Sequence, residues 1–302
     1  MKHQLLLRYV DAVARAGSIR KAADRLAITS TALNRRILAL EEDLGVPIFE
    51  RLPNGVRLSA AGELMIQHVR SQIADMERVR SQIADLRGER RGRVSVACSQ
   101  ALMPYFLPEQ ITAYRKAHPA VTFNVLRRDR TAAEQAIADL SADLALVFEP
   151  EHLTEMQVLH QVHQPVHVLM RPGHPLAAQP VVRLRDCLRY PVALPNEQTG
   201  LRHLLALAVQ RSSLTLQPVI ESDSFEFLRC QALAENIVAF QFPIGLPVES
   251  DSRDLVSRPI DPRDLPCGTL YLGQLRGRAL PVAVARFAQQ LMETLEGRYG
   301  EA

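Results

Sequence analysis

The sequence predicts an α/β protein with an all-α N-terminal unit, on three observations. Through residue ~58 apolar side chains recur at helical spacing, whereas from residue ~93 short β-rich runs alternate with helical stretches. Residues 1–92 carry 16 Lys and Arg against 11 Asp and Glu, while the rest of the chain carries 20 against 22. The basic end is therefore where a polyanion is expected. At 302 residues the chain is long enough for two or three domains. With 47% apolar and 23% charged residues it is neither collagen-like nor largely disordered. No apolar run approaches the ~20 residues of a membrane span, and Met1–Arg8 lacks a signal-peptide core, so a cytoplasmic protein without membrane contact is expected.

The first helix carries Leu6, Tyr9, Val10 and Val13 and ends at Gly17; Ser18 caps the second, whose inner face is Ile19, Ala22, Ala23 and Leu26. Ala27-Ile28 forms a turn, and Thr29 caps a third helix with the stripe Leu33, Ile37, Leu40 and Leu44, ended by Gly45. This is helix-turn-helix spacing. Opposite the stripe lie Ser30, Thr31, Asn34, Arg35 and Leu38, the face a recognition helix turns to a major groove. A solvated surface is the competing reading. Phe49–Leu58 tips the balance, because it reads as a hairpin whose Asn54-Gly55 supplies the two positive-φ positions of a tight turn. The result is a winged helix-turn-helix, with Arg51 and Arg57 flanking the turn within reach of phosphates or a minor groove.

Ser59 caps a long helix to about Arg87 with Ile66, Val69, Ile73, Met76, Val79, Ile83 and Leu86 in a near-heptad seam. Neither flank supplies an obvious cover, so self-association through Ile66, Val69, Ile73, Met76 and Ile83 is expected. Gly88–Gly92 reads as a hinge. Strands are expected at 94–97, 122–126, 144–148, 166–170, 192–194, 219–221, 237–242 and 269–272. Sheets built this way are largely parallel and bind ligands beyond the carboxyl ends of their strands.

Three motifs carry a family resemblance across essentially the whole chain: Ala22-Ala23-Asp24-Arg25-Leu26, Leu40–Arg51 (LEEDLGVPIFER) and Val56–Gly62 (VRLSAAG), with His174-Pro175-Leu176 downstream. On them the chain resembles the LysR-type transcriptional regulators. The resemblance implies a winged helix-turn-helix over 1–58, a dimerising linker helix over 59–87, a hinge over 88–92 and an effector domain over 93–302. That last domain is implied to resemble type 2 periplasmic binding proteins, with one lobe at 93–163 and 267–302 and the other at 164–266. Implied partners are double-stranded DNA, a small-molecule effector, further copies of the chain as dimer or tetramer, and RNA polymerase. Thr29–Asn34 departs from the frequent family sequence at the recognition helix, so operator sequence does not carry over. Ala234-Glu235-Asn236 stands where a Gly-x-Gly is common, with Asn236 expected to take the positive φ.

Ser99 and Gln100 follow the first strand of the α/β part, where helix amides attract anions; plain capping competes, and the resemblance places an effector contact there. Thr199 opens another helix in the same way, Phe148 and Phe225 are candidate cleft walls, and Arg128 is a candidate partner for a carboxylate. A small anionic effector is expected. His160 and His163 lie on opposite faces of an extended run, so no metal site is expected. Cys98, Cys187, Cys230 and Cys267 lack ligand spacing and read as buried reduced thiols, with a redox-sensing pair as the competing reading. No phosphate loop, nucleophile elbow or carboxylate pair appears, so neither cofactor nor enzyme activity is expected. Two other readings compete: a constitutive architectural DNA binder with a vestigial cleft, and a binding protein or enzyme of the α/β portion.

Overall fold

The computed structural model describes residues 2–86, 91–212, 214–247 and 255–300, in two compact units, 1–83 and 84–302. In the first, α1 (Lys2–Ala16), α2 (Ile19–Arg25) and α3 (Ser30–Leu44) are followed by β1 (Phe49–Leu52), β2 (Gly55–Leu58) and the long α4 (Ala60–Leu86), whose last residues belong to the second unit. The caps are those the sequence predicts. Ser18 Oγ accepts from the Lys21 amide, Thr29 Oγ1 accepts from the Ala32 amide at 3.2 Å, and Gly45 ends α3 at φ +69°. Between α2 and α3 the chain turns through Ala27 at φ +53°, a left-handed conformation unusual for a residue with a Cβ. Ala22 and Ala23 are buried, and their small side chains let α2 sit close to both α1 and α3.

The core of this unit corrects the expectation of an uncovered α4 seam. Ile66 and Val69 are buried in the same cluster as Leu7, Val10, Val13, Leu33, Ile37 and Phe49, and Ile73 packs against it. The helix-turn-helix itself covers the first turns of α4. Asp11 fixes the arrangement by accepting from Arg15 Nε (2.8 Å) and Arg70 Nε (2.9 Å).

The wing turn also differs from its prediction. Leu52 pairs with Gly55, so the two loop residues are Pro53 and Asn54, and Asn54 has no positive φ. Proline fixes φ near −65°, which the first position of a type I′ turn forbids.

The second unit holds two five-stranded sheets. Strands β3 (Gly92–Cys98), β4 (Val121–Arg127), β5 (Leu144–Phe148), β6 (Met156–Gln164) and, after a long excursion, β12 (Gly268–Leu275) form one sheet in the order β4-β3-β5-β12-β6. Here β3, β4 and β5 are parallel, and β12 is antiparallel to β5 and β6. The excursion contributes β7 (His167–Met170), β8 (Val192–Pro195), β9 (Ile220–Ser222), β10 (Val238–Gln241) and β11 (Val256–Pro259), in the order β11-β7-β10-β8-β9. Helices α5 (Phe106–Ala117), α6 (Arg130–Ala138) and α10 (Val282–Tyr299) belong to the first sheet's lobe; α7 (Leu184–Cys187), α8 (Gly200–Gln210) and α9 (Phe225–Ala234) belong to the second. β11 escaped the sequence reading, and β6 was read only as an extended run around His160 and His163, not as a strand. Among the described residues Asn236 has no positive φ, so the turn before β10 forms without the conformation expected of it. Most of the predicted 88–92 hinge lies outside the described residues, with Gly92 already opening β3.

His167, in β7, lies 2.7 Å from the Ser257 hydroxyl through Nδ1. Burial, assisted by the Arg258 guanidinium, pushes its pKa from 6.5 down to about 4. A depressed pKa means that the stability this group contributes is complete above pH 6.5 and is lost as pH falls toward 4. After discounting for its partial exposure, the expected loss is about 2 kcal/mol. Urea titrations at pH 7 and pH ~4.5 should show this loss in the wild type and a smaller one in His167→Gln.

Candidate functional site

In the N-terminal unit, Ser30, Thr31, Arg35 and Leu38 are exposed on α3, and Arg51 and Arg57 are exposed on the wing. Asn34 is half-buried, and its Oδ1 is buried with no hydrogen-bond partner, so its acceptor does not face outward. Arg57 Nε donates to Glu50 Oε2 at 2.7 Å across the hairpin, which partly neutralises that guanidinium. Arg36 is exposed, and its guanidinium lies 5.2 Å from the Tyr9 ring centroid.

Sequence reasoning missed Glu41. Its Oε1 accepts from the Ile48 and Phe49 amides, at 2.8 and 2.9 Å, and so pins the start of β1 to α3. An acidic residue on a polar helix face has no periodicity to betray such a role. It holds wing and recognition helix in one register.

Beyond the part of α4 covered by the helix-turn-helix, Met76 (38%), Val79 (38%), Ile83 (47%) and Leu86 (88%) are exposed along the helix. They continue the stripe begun by Ile66 and Val69.

In the second unit, the carboxyl ends of β3, β4 and β5 bring together Cys98–Gln100, Arg127–Arg130 and Phe148. Four predicted site residues, Ser99, Phe148, Thr199 and Phe225, are buried, and the polar ones are engaged by the protein itself. Ser99 does not cap the short 3-10 helix that follows it; its hydroxyl donates to Asp129 Oδ1 at 2.5 Å. The Gln100 amide also favours the ionised form of the Asp129 carboxyl. Burial pushes the Asp129 carboxyl above its ordinary pKa, while Ser99, the Gln100 amide and Arg127 pull it back.

The lobes meet directly here. Gln100 Oε1 accepts from the Phe225 amide at 2.8 Å, at the start of α9, and Arg127 donates to Asp223 Oδ2 at 3.0 Å. Phe148 stacks on Phe242, with ring centroids 3.8 Å apart. Gly200, the first residue of α8, lies so close to Phe148 that a Cβ there would sit 2.6 Å from its carbonyl oxygen. Thr199 caps α8: its Oγ1 accepts from the Arg202 amide and donates to the Asn196 carbonyl. Arg128 is exposed and donates to the Arg127 carbonyl. Structure thus gathers Ser99, Gln100, Phe148 and Phe225 where the two lobes meet and adds Asp129, which the sequence reading did not single out.

Among the described residues no three His, Cys, Asp or Glu side chains form a metal-binding group, and no helix is long and apolar enough to cross a membrane. Cys98 and Cys187 are buried, with burial raising both thiol pKa values, but Cys230 and Cys267 are exposed, which corrects the expectation that all four are interior.

Residues 5–63 match the model of the bacterial regulatory helix-turn-helix protein of the lysR family, and residues 87–296 match the LysR substrate binding domain. An uncharacterized HTH-type transcriptional regulator, YbhD of Escherichia coli, is 28% identical over 68% of this chain and 65% of its own length. The RuBisCO operon transcriptional regulator of Allochromatium vinosum is 24% identical over 94% of this chain and 93% of its own. Full-length CbnR, solved in complex with its target DNA, is 18% identical and superposes with a TM-score of 0.63 over 96% of this chain and 99% of its own, a likeness of fold. With both matched models in chain order, covering the helix-turn-helix and both α/β lobes, the chain belongs to the LysR family and is a LysR-type transcriptional regulator with an effector-binding domain.

Proposed function

We propose that residues 1–58 bind double-stranded operator DNA, with Ser30, Thr31 and Arg35 of α3 facing a major groove and the wing reaching the backbone. The long helix α4 carries self-association through Met76, Val79 and Ile83. The lobes formed by 93–163 with 267–302, and by 164–266, sense a small molecule and pass its presence to the DNA and to RNA polymerase. The observation that carries this reading is the exposed polar face of α3, held by Glu41 in fixed register with a wing that presents Arg51.

Two measurements test the DNA assignment. Arg51→Ala should flatten the log K against log salt slope by ~0.9, the signature of one lost phosphate contact, and Arg57→Ala by less, because Glu50 already holds its guanidinium. An unchanged slope for Arg51→Ala removes the wing from the interface. Arg35→Ala should cost ~1–3 kcal/mol of discrimination in competition binding across operator point variants. Asn34→Ala should cost less, since a bidentate adenine contact needs the acceptor that Asn34 buries.

A further inference from the structure

We propose that Asp129 sets the ligand specificity of the interlobe cleft by serving as its resident anion: the chain's own carboxylate holds the donors that a free carboxylate would need. The unsubstituted cleft therefore excludes small carboxylates and is clasped without one. This rests on the reading of the cleft as the control site for DNA binding.

The Ser99 hydroxyl at the carboxyl end of β3 donates to Asp129, and the Gln100 amide beside it favours the ionised carboxylate. Each has one hydrogen to give. Of the neighbouring guanidiniums, Arg127 donates to Asp223 and Arg128 to a backbone carbonyl. A free carboxylate entering here would have to share the Ser99 turn with the half-buried Asp129, and two like charges so placed do not both ionise.

Helix capping does not account for the geometry. Asp129 stands at the N-cap of α6, yet its side chain makes no capping hydrogen bond and turns to the Ser99 turn instead. That turn in turn reaches the other lobe, since the Gln100 side chain accepts from the Phe225 amide. Asp129 thus holds the element that joins the two lobes, the place a bound ligand would occupy.

The side chain of aspartate beyond Cα is acetate in all but one hydrogen, so removing it leaves an acetate-shaped site with its donors in place. The test is thermal shift on the full chain with sodium acetate, against sodium chloride at equal ionic strength. Asp129→Gly should melt below the wild type and be raised saturably by acetate, by about 3–5 °C at roughly tenfold over Kd, with the wild type unmoved. Adding Ser99→Ala should abolish the response. Should the glycine variant fail to fold, Asp129→Ser retains a helix-capping residue and vacates the site for formate. An equal response in the wild type, or none in either variant, overturns the proposal. Operator binding by Asp129→Gly with and without acetate separates the two readings. Acetate that binds through Ser99 yet leaves DNA affinity and footprint unchanged supports the resident anion and overturns the cleft as control site.

Discussion

Val69→Asp is expected to unfold the N-terminal unit, whereas Ile83→Asp, two heptads along the same stripe, should leave it folded and split the oligomer. Val69 is fully buried with Val10, Val13 and Ile37, so a carboxylate there has neither water nor a hydrogen-bond partner. The cost, more than about 4 kcal/mol, is comparable with the whole stability of a small domain. Operator binding should vanish and a lower-temperature transition should appear, with the second unit retaining its own. Ile83 is 47% exposed, and a surface substitution of that kind ordinarily changes monomer stability by less than ~0.5 kcal/mol. If two copies of Met76, Val79 and Ile83 cover one another, Ile83→Asp instead places a charge at the contact. Sedimentation at micromolar protein checks this, and an unaltered mass for Ile83→Asp removes these residues from the interface. Ile73→Asp does not discriminate, because Ile73 packs against the helix-turn-helix core.

This division of one helix stripe shows where the sequence stops being legible. Periodicity identifies α4 and its apolar face correctly, since spacing of 3 and 4 depends only on helix geometry. It does not identify what covers that face, because coverage depends on where α1 and α3 lie in space. The same limit applies to the cleft. Thr29 and Ser18 are readable as caps because an N-cap is a local event, and both make the expected bonds. Ser99 looks equally like a cap, but its hydroxyl goes to Asp129, 30 residues away, through a sheet contact no local pattern encodes. β11 was missed, and β6 recognised only as an extended run, for a related reason. β6 mixes polar and apolar residues without clean alternation, burying Met156, Val162 and Gln164 on either side of a register shift in its partner β12. The order in which strands enter the two sheets is likewise set by long-range pairing.

Gly55→Ala is expected to cripple the wing, while Asn54→Ala should be close to neutral, although an Asn-Gly hairpin turn would need positive φ at both positions. Asn54 is exposed, occupies the second loop position without a positive φ, and makes no contact that alanine would lose at large cost. Gly55 has φ +147°, which L side chains rarely adopt, and a Cβ built there would lie 2.3 Å from the Gly17 carbonyl oxygen. The same carbonyl accepts from the Val56 amide at 2.9 Å and ties the wing to the turn between α1 and α2. Alanine must therefore push β2 away from that turn, losing the hydrogen bond and uncovering Val56, which is buried in the core. Backbone strain of about 1–3 kcal/mol adds to about 1 kcal/mol for the bond. A total of about 3 kcal/mol or more is expected for Gly55→Ala against under ~0.5 kcal/mol for Asn54→Ala. Denaturant melts of the two variants measure the difference. Operator titrations under conditions where both are folded should show Gly55→Ala losing the salt dependence assigned to Arg51, because the displaced wing no longer presents that side chain. Equal stability of the two variants would mean that the wing's approach to Gly17 contributes little, and the hairpin would then owe its position to Glu41 and to the burial of Phe49 and Val56.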